Sequence, residues 1–578
     1  LQSVAIAGAG AASTTINAHS IDRIFDVYGG ISLTLSGVTL TGGRAPDGAA
    51  SATANGGAGE SGGAIRAAGP LTLDGVMATG NRAGDGGHGG TAAGFGQPGG
   101  NGGAGGAIDA GDTLTIRNST LTGNTAGTGG IGGASDADPT HFGGAGGSGG
   151  FGGAVRSLAP TTITTSTISG NNAGQGGSGG SSANGGAGGG SNGGAGGGTY
   201  VQGPLTISGS TFSGNRAGSG GTLPVSPNPG ALPGYAGPGG GLAAMTTGPD
   251  PISISDSTFS DNRAGDAGTG VQAGQGQNGA DGGGVWIIYA NVTITRTTVS
   301  SNSAGNGSNG ISQAGSGGWG GGLNIGNTTT LALSDSTING NSTGRGGDSN
   351  QIPGSGGNGG GLVFGSAKTI NVANTTIVGN STGVGGDTKL QPGSQGGRGG
   401  IGAGIYTFGT GTFTHVTVAG NQTGAGGAGE TPGSRGVGGG IHASDGTHTI
   451  ANSIFAFNAP ANCKQSAGKI TDGGNNVVFP EPSCPGLTAD PLLQLLADNG
   501  GPTKTVALGE GSPAIDLVPT TAGCLATDQR GSARPQRSAC DAGAFEAGPA
   551  PPSPAVQTPP PPPAAPAGDK LKPRVSKL

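Results

Sequence analysis

The sequence predicts an all-β chain folded as a parallel β-solenoid, and three observations carry that prediction. A strand-like segment ending in Asn recurs ten times, at spacings of 37 to 47 residues. Within each copy the apolar residues, mainly β-branched, stand two apart, which is the period of a strand and not of a helix. A Gly-Gly-small-apolar signature such as Gly62-Gly63-Ala64-Ile65 precedes the copies. Repeats of this length are supersecondary units that bury their apolar faces only by stacking.

Each element follows from a column of the repeat. The copies end at Asn81, Asn124, Asn171, Asn215, Asn262, Asn302, Asn341, Asn380, Asn421 and Asn458. Three before the Asn stands an apolar residue, from Leu121 through Phe212 and Phe259 to Phe455, with Ala78 the weak exception. Eight before it a second column runs from Leu73 through Ile207 and Ile254 to Ile450. With the strand after the glycine pair, this gives three short strands per coil. Stacked coil on coil, the apolar columns become interior ladders. The Asn column is expected at a turn, with Asn in left-handed backbone and its amide bonded to the same amide above and below. Roughly 12 coils at about 4.8 Å each make a rod about 60 Å long. Val4 to Ala12 is read as a first strand and turn rather than the end of a signal peptide.

Composition agrees once the repeat is seen. Glycine supplies 140 of 578 residues and proline 36, which alone reads as low complexity. Much of the glycine fills loops of variable length between each Asn and the next glycine pair. Those loops absorb the spacing variation. Disorder and packed polyglycine-II-like segments both remain open for them. Net charge is only −6, and the sequence has no basic stripe, which argues against a nucleic-acid partner. No run of about 18 apolar residues is present to span a membrane as a helix. No cofactor is expected, and a monomer is.

Four cysteines, Cys463, Cys484, Cys524 and Cys540, lie in the last fifth of the chain without CxxC spacing, so a zinc site is not expected. Two disulfides, most simply Cys463–Cys484 and Cys524–Cys540, fit an exported protein; four buried thiols are the alternative. Residues 549–566 hold ten prolines, including Pro559 to Pro563, a polyproline II spacer with no globular fold. The last nine residues carry Lys570, Lys572, Arg574 and Lys577, either a solvated end or a contact for an anionic wall polymer.

The Gly-Gly-Ala-Ile and Phe-x-x-Asn pair, as in Gly62 to Ile65 and Phe212 with Asn215, resembles the repeats of the polymorphic outer membrane protein family. That resemblance implies a right-handed parallel β-helix (solenoid) of a bacterial surface protein over residues 1–460. A second stretch is similar to the choice-of-anchor Q module. Its matching residues are Asp498, Asn499, Gly500, Gly501, Ser512 to Asp516, Asp528 to Gly531, Arg534, Asp541, Gly543, Ala544 and Glu546. This implies a C-terminal cap over 461–546, closing the open solenoid end, after which a variable surface anchor follows. Composition makes 547–578 a disordered Pro-rich tail.

Polysaccharide lyases and hydrolases of β-helical shape need carboxylates, or a carboxylate with a basic residue, gathered on one face. The column six before the Asn offers Asp256, Arg296 and Asp335 on successive coils, the only weak catalytic candidates. The blander reading is a surface ion-pair ladder. His415, His442 and His448 with Asp445 are a weak metal candidate, set against solvated or stacked imidazoles. The Thr column from Thr120 to Thr417, four before the Asn, should point outward. It is a candidate face for ice or crystalline polysaccharide, although the rank beside it is mixed.

Two functions follow. The first is a secreted or cell-surface, non-enzymatic rod in adhesion or envelope structure, with surface polysaccharide or cell-envelope components as partner. The second is a pectate-lyase-like lyase or hydrolase.

Overall fold

Alternating apolar residues need a lumen, and each coil supplies one wall of it. The computed structural model describes residues 2–549 except 225–230, 271–273, 329, 366–368 and 389–392. The Pro-rich segment from 550 onward therefore lies outside the described residues. A representative coil has strands Thr199–Gln202, Leu205–Ser208 and Thr211–Ser213. The third strands stack as a 14-stranded parallel sheet among the described residues. The first and second strands form two further ranks. Two long strands, Leu242–Ser255 and Val285–Thr295, run through both ranks and join them into one 23-stranded sheet. No helix occurs among the described residues.

The register is the one the columns demand. Ile207 pairs with Ile254, and Phe212 with Phe259, whose rings stack 4.7 Å apart. Both apolar columns are buried along the rod. The N-terminal residues enter as strands Val4–Ala7 and Thr15–Asn17.

Buried polar ladders lock the turns. Asn215 Nδ2 donates to Asn262 Oδ1 at 2.9 Å, and the Asn215 main-chain N–H donates to the same oxygen at 3.1 Å. Asn262 repeats this with Asn302 and also donates to the Phe212 carbonyl. The chain of amides runs from Asn81 to Asn458 and ends on Asn462 and Glu481. One expectation is corrected here. The left-handed residue is not the Asn but the one before it: Gly80, Gly123, Gly170 and Gly214, with Asp261, Ser301 and Phe457 where glycine is missing. The Asn keeps ordinary backbone because its task is the side-chain ladder. A second ladder escaped the sequence reading. Ser119 N–H donates to Ser166 Oγ and Ser166 N–H to Ser210 Oγ, each at 3.1 Å.

Among the described residues the glycine-rich stretches are neither slack loops nor, apart from the small hairpin Thr91–Ala92 with Phe95–Gly96, strands. Where described, they leave the Asn, run outward with a three-residue repeat, and return beside the outgoing segment. Main-chain bonds link outgoing and returning segments within a coil and between successive coils: Gly100 N–H to Gly87 O within one, and Gly87 N–H to Gly57 O and Gly130 N–H to Gly100 O between neighbours, each at 2.8 Å. This is the pattern of polyglycine II, extended segments of threefold period with their bonds directed to neighbours. Glycine is required for space. A Cβ on Gly87 would stand 2.1 Å from Ala49 O, and one on Gly130 2.0 Å from Gly87 O. The residue that interrupts the glycines does a second job. Its side chain accepts the N–H of its counterpart on the next coil, as Asp85 does from Thr128 at 2.8 Å and Asp266 from Asn306 at 2.7 Å.

Two disulfides, Cys463–Cys484 and Cys524–Cys540, tie the C-terminal part together. After the antiparallel pair Leu493–Ala497 and Thr505–Leu508, the chain runs back along the outer face of the third rank. Gln529 Nε2 donates to Thr337 Oγ1 at 2.9 Å, and its Oε1 accepts from Thr376 Oγ1 at 2.7 Å. The Ala544 N–H donates to Thr417 Oγ1 at 3.0 Å. Buried Ile454, Ala456, Val518 and Ala542 complete the contact. The physical reason is that a rank of outward threonine hydroxyls offers bonds to a docking segment all along the rod.

Candidate functional site

Asp256, Arg296 and Asp335 stand on a turn. Their column, Gly75, Asn118, Thr165, Gly209, Asp256, Arg296, Asp335, Asn374, His415 and Asn452, has φ between 42° and 62° throughout. Asn, Asp and Gly tolerate that left-handed conformation best, so backbone geometry explains the carboxylates there. Arg296 Nε donates to Asp256 Oδ1 at 2.6 Å and a terminal nitrogen to Oδ2 at 2.8 Å. The Arg296 guanidinium holds the Asp256 carboxyl below its usual range. Asp335 accepts instead from Ser334 and Asn374. The pair is nearly half exposed, and such pairs are worth about 0–1 kcal/mol.

The histidines do not converge. His442 Nε2 bonds Ser466 Oγ, and His448 Nε2 bonds the Asp445 carbonyl oxygen. His415 is buried beneath the docked C-terminal segment, where burial, and then the Arg534 charge, lowers its imidazole to about 3. No three His, Cys, Asp or Glu side chains gather as a metal site among the described residues. The outward threonine rank is divided. Thr120, Thr167, Thr211, Thr258 and Thr298 are half-buried, whereas Thr337, Thr376 and Thr417 lie under that segment.

The residues resembling the anchor module form the scaffold of the docked segment. Arg534 Nη1 bonds Glu546 Oε2 at 2.8 Å with both side chains wholly buried. Asp528 pairs with Arg530, and Asp541 accepts the N–H groups of Asp516 and Ala547.

A richer site lies along the outward column of the first rank, one residue after each glycine-led apolar position. By register this column reads Asp26, Arg66, Asp109, Arg156, Tyr200, Ala243, Trp286, Asn324, Val363, Tyr406, His442 and Lys464. Its first part is ionic. Arg156 grips Asp109 with two bonds, and Asp26 and Glu60 are shared by Arg23 and Arg66. Its later part is aromatic. Returning glycine-rich segments rise beside it and close a groove of about 740 Å³ lined by Tyr235, Asn278, Asp281, Trp286, Trp319, Asn358 and Arg398. Both tryptophans of the chain are here. Trp319 meets Tyr406 edge-on at 5.5 Å, and Tyr200 stacks on Phe151 at 4.9 Å.

The polar groups of the groove are held by one atom each. Asn278 Oδ1 accepts the Ser316 N–H, Asp281 Oδ1 the Trp319 N–H, and Asn358 Oδ1 the Ile401 N–H, at 2.7 to 2.9 Å. Asp281 keeps part of its surface on the groove, but the walls crowd it, and burial raises its carboxyl to about 6. Sequence reading missed this groove because its residues come from separate columns. The available signal was that Trp286 and Trp319 flank one glycine-rich stretch. A second hollow of about 850 Å³ lies at the tip of the glycine bundle, near Ser308, Asp348 and Asp387. It has no aromatic ring, and Arg345 pairs with both aspartates.

Fold and groove together define the class: a parallel β-solenoid with a glycine bundle along one flank and an aromatic groove beside it. No protein-family model matches the chain, and neither a curated protein nor a solved structure does.

Proposed function

We propose that the protein is a secreted or cell-surface, non-enzymatic solenoid of a bacterium, a rigid rod acting in adhesion or as an envelope element. The carrying observation is that the conspicuous acid–base pair, Asp256 with Arg296, is self-neutralised on a turn while open polar groups and rings line a groove instead. A lyase base needs an arginine or lysine poised to lose its proton. Arg66 and Arg296 are both pushed the other way by their aspartate partners. The two disulfides support an oxidising, extracellular setting. The anchor-like segment and the Pro-rich stretch 547–578 serve in this reading as a docked brace and a spacer holding the rod off the surface.

The pectate-lyase-like alternative keeps one supporting observation, the Asp26, Glu60, Arg23 and Arg66 cluster. Incubation of the full chain with a panel of uronic-acid polymers separates the two readings. The rod reading expects no unsaturated or newly reducing ends, together with sedimentation of the protein on bacterial cell-wall preparations. Turnover that disappears in Arg66→Gln installs the alternative.

A further inference from the structure

We propose that the Trp286–Trp319 groove binds a linear polysaccharide of flat pyranose rings with equatorial hydroxyls, lying parallel to the rod. The proposal rests on the binding reading above and names the ligand class of the groove.

The groove is elongated in the right direction. Its wall takes Tyr235, Asn278 with Asp281, Ser316 with Trp319, Ser355 with Asn358, and Arg398 with Ile401 from five successive coils. Coils repeat at about 4.8 Å, so the wall presents equivalent positions over about 20 Å. That repeat is close to one sugar unit of an extended pyranose chain. A ligand that is itself periodic therefore meets similar surroundings at each step.

The chemistry is also two-sided, as a sugar ring is. A pyranose with equatorial hydroxyls has C–H faces and a polar edge. Aromatic side chains offer an apolar body for the faces. The polar edge needs donors and acceptors that the protein has not already used. Asn278 Nδ2, Asn358 Nδ2, Asp281 Oδ2 and the Arg398 guanidinium have no bond or ion pair within the protein among the described residues. Yet Asn278, Asp281 and Asn358 each accept a main-chain N–H of the next coil at Oδ1, so they are already oriented before a ligand arrives. An apolar ligand leaves these groups unpaired. A polyanion meets a single cation beside an aspartate on a chain of net charge −6. The raised Asp281 carboxyl adds to the match, because a fraction of it carries a proton near neutrality and donates to a hydroxyl as well as accepting from one.

The test uses the full chain, titrated with cellohexaose and with chitohexaose while tryptophan emission is followed. Both tryptophans of the protein line the groove, so the signal reports on it alone. The expected result is a saturable emission change with at least one of the two. Its Kd should rise about tenfold in Trp319→Ala and fall back within a few-fold of wild type in Trp319→Phe, the scale of an aromatic anchor. Thr258→Ala and Arg296→Gln, both away from the groove, should bind as wild type does. The proposal is overturned if neither saccharide binds at millimolar concentration, or if calorimetric binding persists unchanged in Trp286→Ala and Trp319→Ala. It is equally overturned if a polyproline peptide saturates the groove and neither sugar does. Failure with both sugars alongside retained cell-wall sedimentation sinks this proposal but not the rod reading. Binding accompanied by release of reducing ends sustains the ligand class and sinks the non-enzymatic reading.

Discussion

The lumen and the glycine bundle are built from the same coils but by opposite means. In the lumen, side chains do the joining. Phe212 and Phe259 stack, Ile207 lies on Ile254, and the main chain sits at the rim. In the bundle the main chain does the joining, and side chains are excluded from the interior because a single Cβ would strike a carbonyl oxygen. The lumen is an apolar core that tolerates changes of shape at a modest cost. The bundle is a hydrogen-bonded lattice whose spacing is set by the absence of side chains. The comparison teaches that high glycine content is compatible with order when every glycine N–H and carbonyl has a neighbour of fixed position.

Five substitutions and one titration break or sharpen that contrast. Asn262→Leu at the rim of the lumen should cost the most, on the order of 4 kcal/mol. It strips the Asn215 N–H and Nδ2 of their acceptor and frees the Phe212 carbonyl and Asn302 Oδ1. Denaturant unfolding monitored by circular dichroism reads this loss. Phe212→Ala should come next, at about 3–4 kcal/mol, from the cavity left against Phe259.

The sharpest comparison uses two glycines seven residues apart. Gly130→Ala forces a methyl to 2.0 Å from the Gly87 oxygen and should cost about 2–3 kcal/mol, with amide exchange accelerating only in neighbouring bundle segments. Gly123→Ala has open space around it but φ of 64°, and should cost about 1 kcal/mol. If the two cost the same, space is not what selects glycine in the bundle.

Acidification gives the next effect. His415 falls to about 3 and His442 to about 4 through burial, and burial lowers His448 as well. The unfolded chain therefore binds more protons below its ordinary imidazole range of about 6.5. Stability is present above that range and is lost as pH falls from there toward 3. Asp541, raised to about 6 by burial, works the other way between its folded value and about 3.8 and softens the decline. Thermal melts from pH 7 to pH 4 should show a falling Tm, flattened in His415→Asn. Asp85→Ala should likewise cost about 1 kcal/mol, because it removes the acceptor of the Thr128 N–H and hydroxyl and the partner of Arg82 at a half-buried position.

Much of the coil was legible because period and register are local facts. An apolar residue at a fixed distance from an Asn must reach the lumen on every turn, so Ile207, Phe212 and Asn215 could be placed from spacing alone. The Thr column was legible as outward-facing, but not its fate. Nothing local says that Gln529 reaches back to Thr337 and Thr376, contacts more than 150 residues apart in sequence. The carboxylates of the turn column misled for a related reason. Asp256 and Asp335 look like chemistry until the left-handed backbone that selects them is seen.

By itself, then, the sequence determined the solenoid, its three ranks, its Asn ladder and its pairs of cysteines, because each is fixed by periodicity or by short separation along the chain. Only the tertiary structure decided that the glycine stretches form a bonded bundle, that the C-terminal segment lies along the rod, and that Trp286, Trp319 and Asp281 share one groove. Those outcomes depend on which coils become neighbours and on how closely two main chains can approach, and neither distance is written in any single repeat.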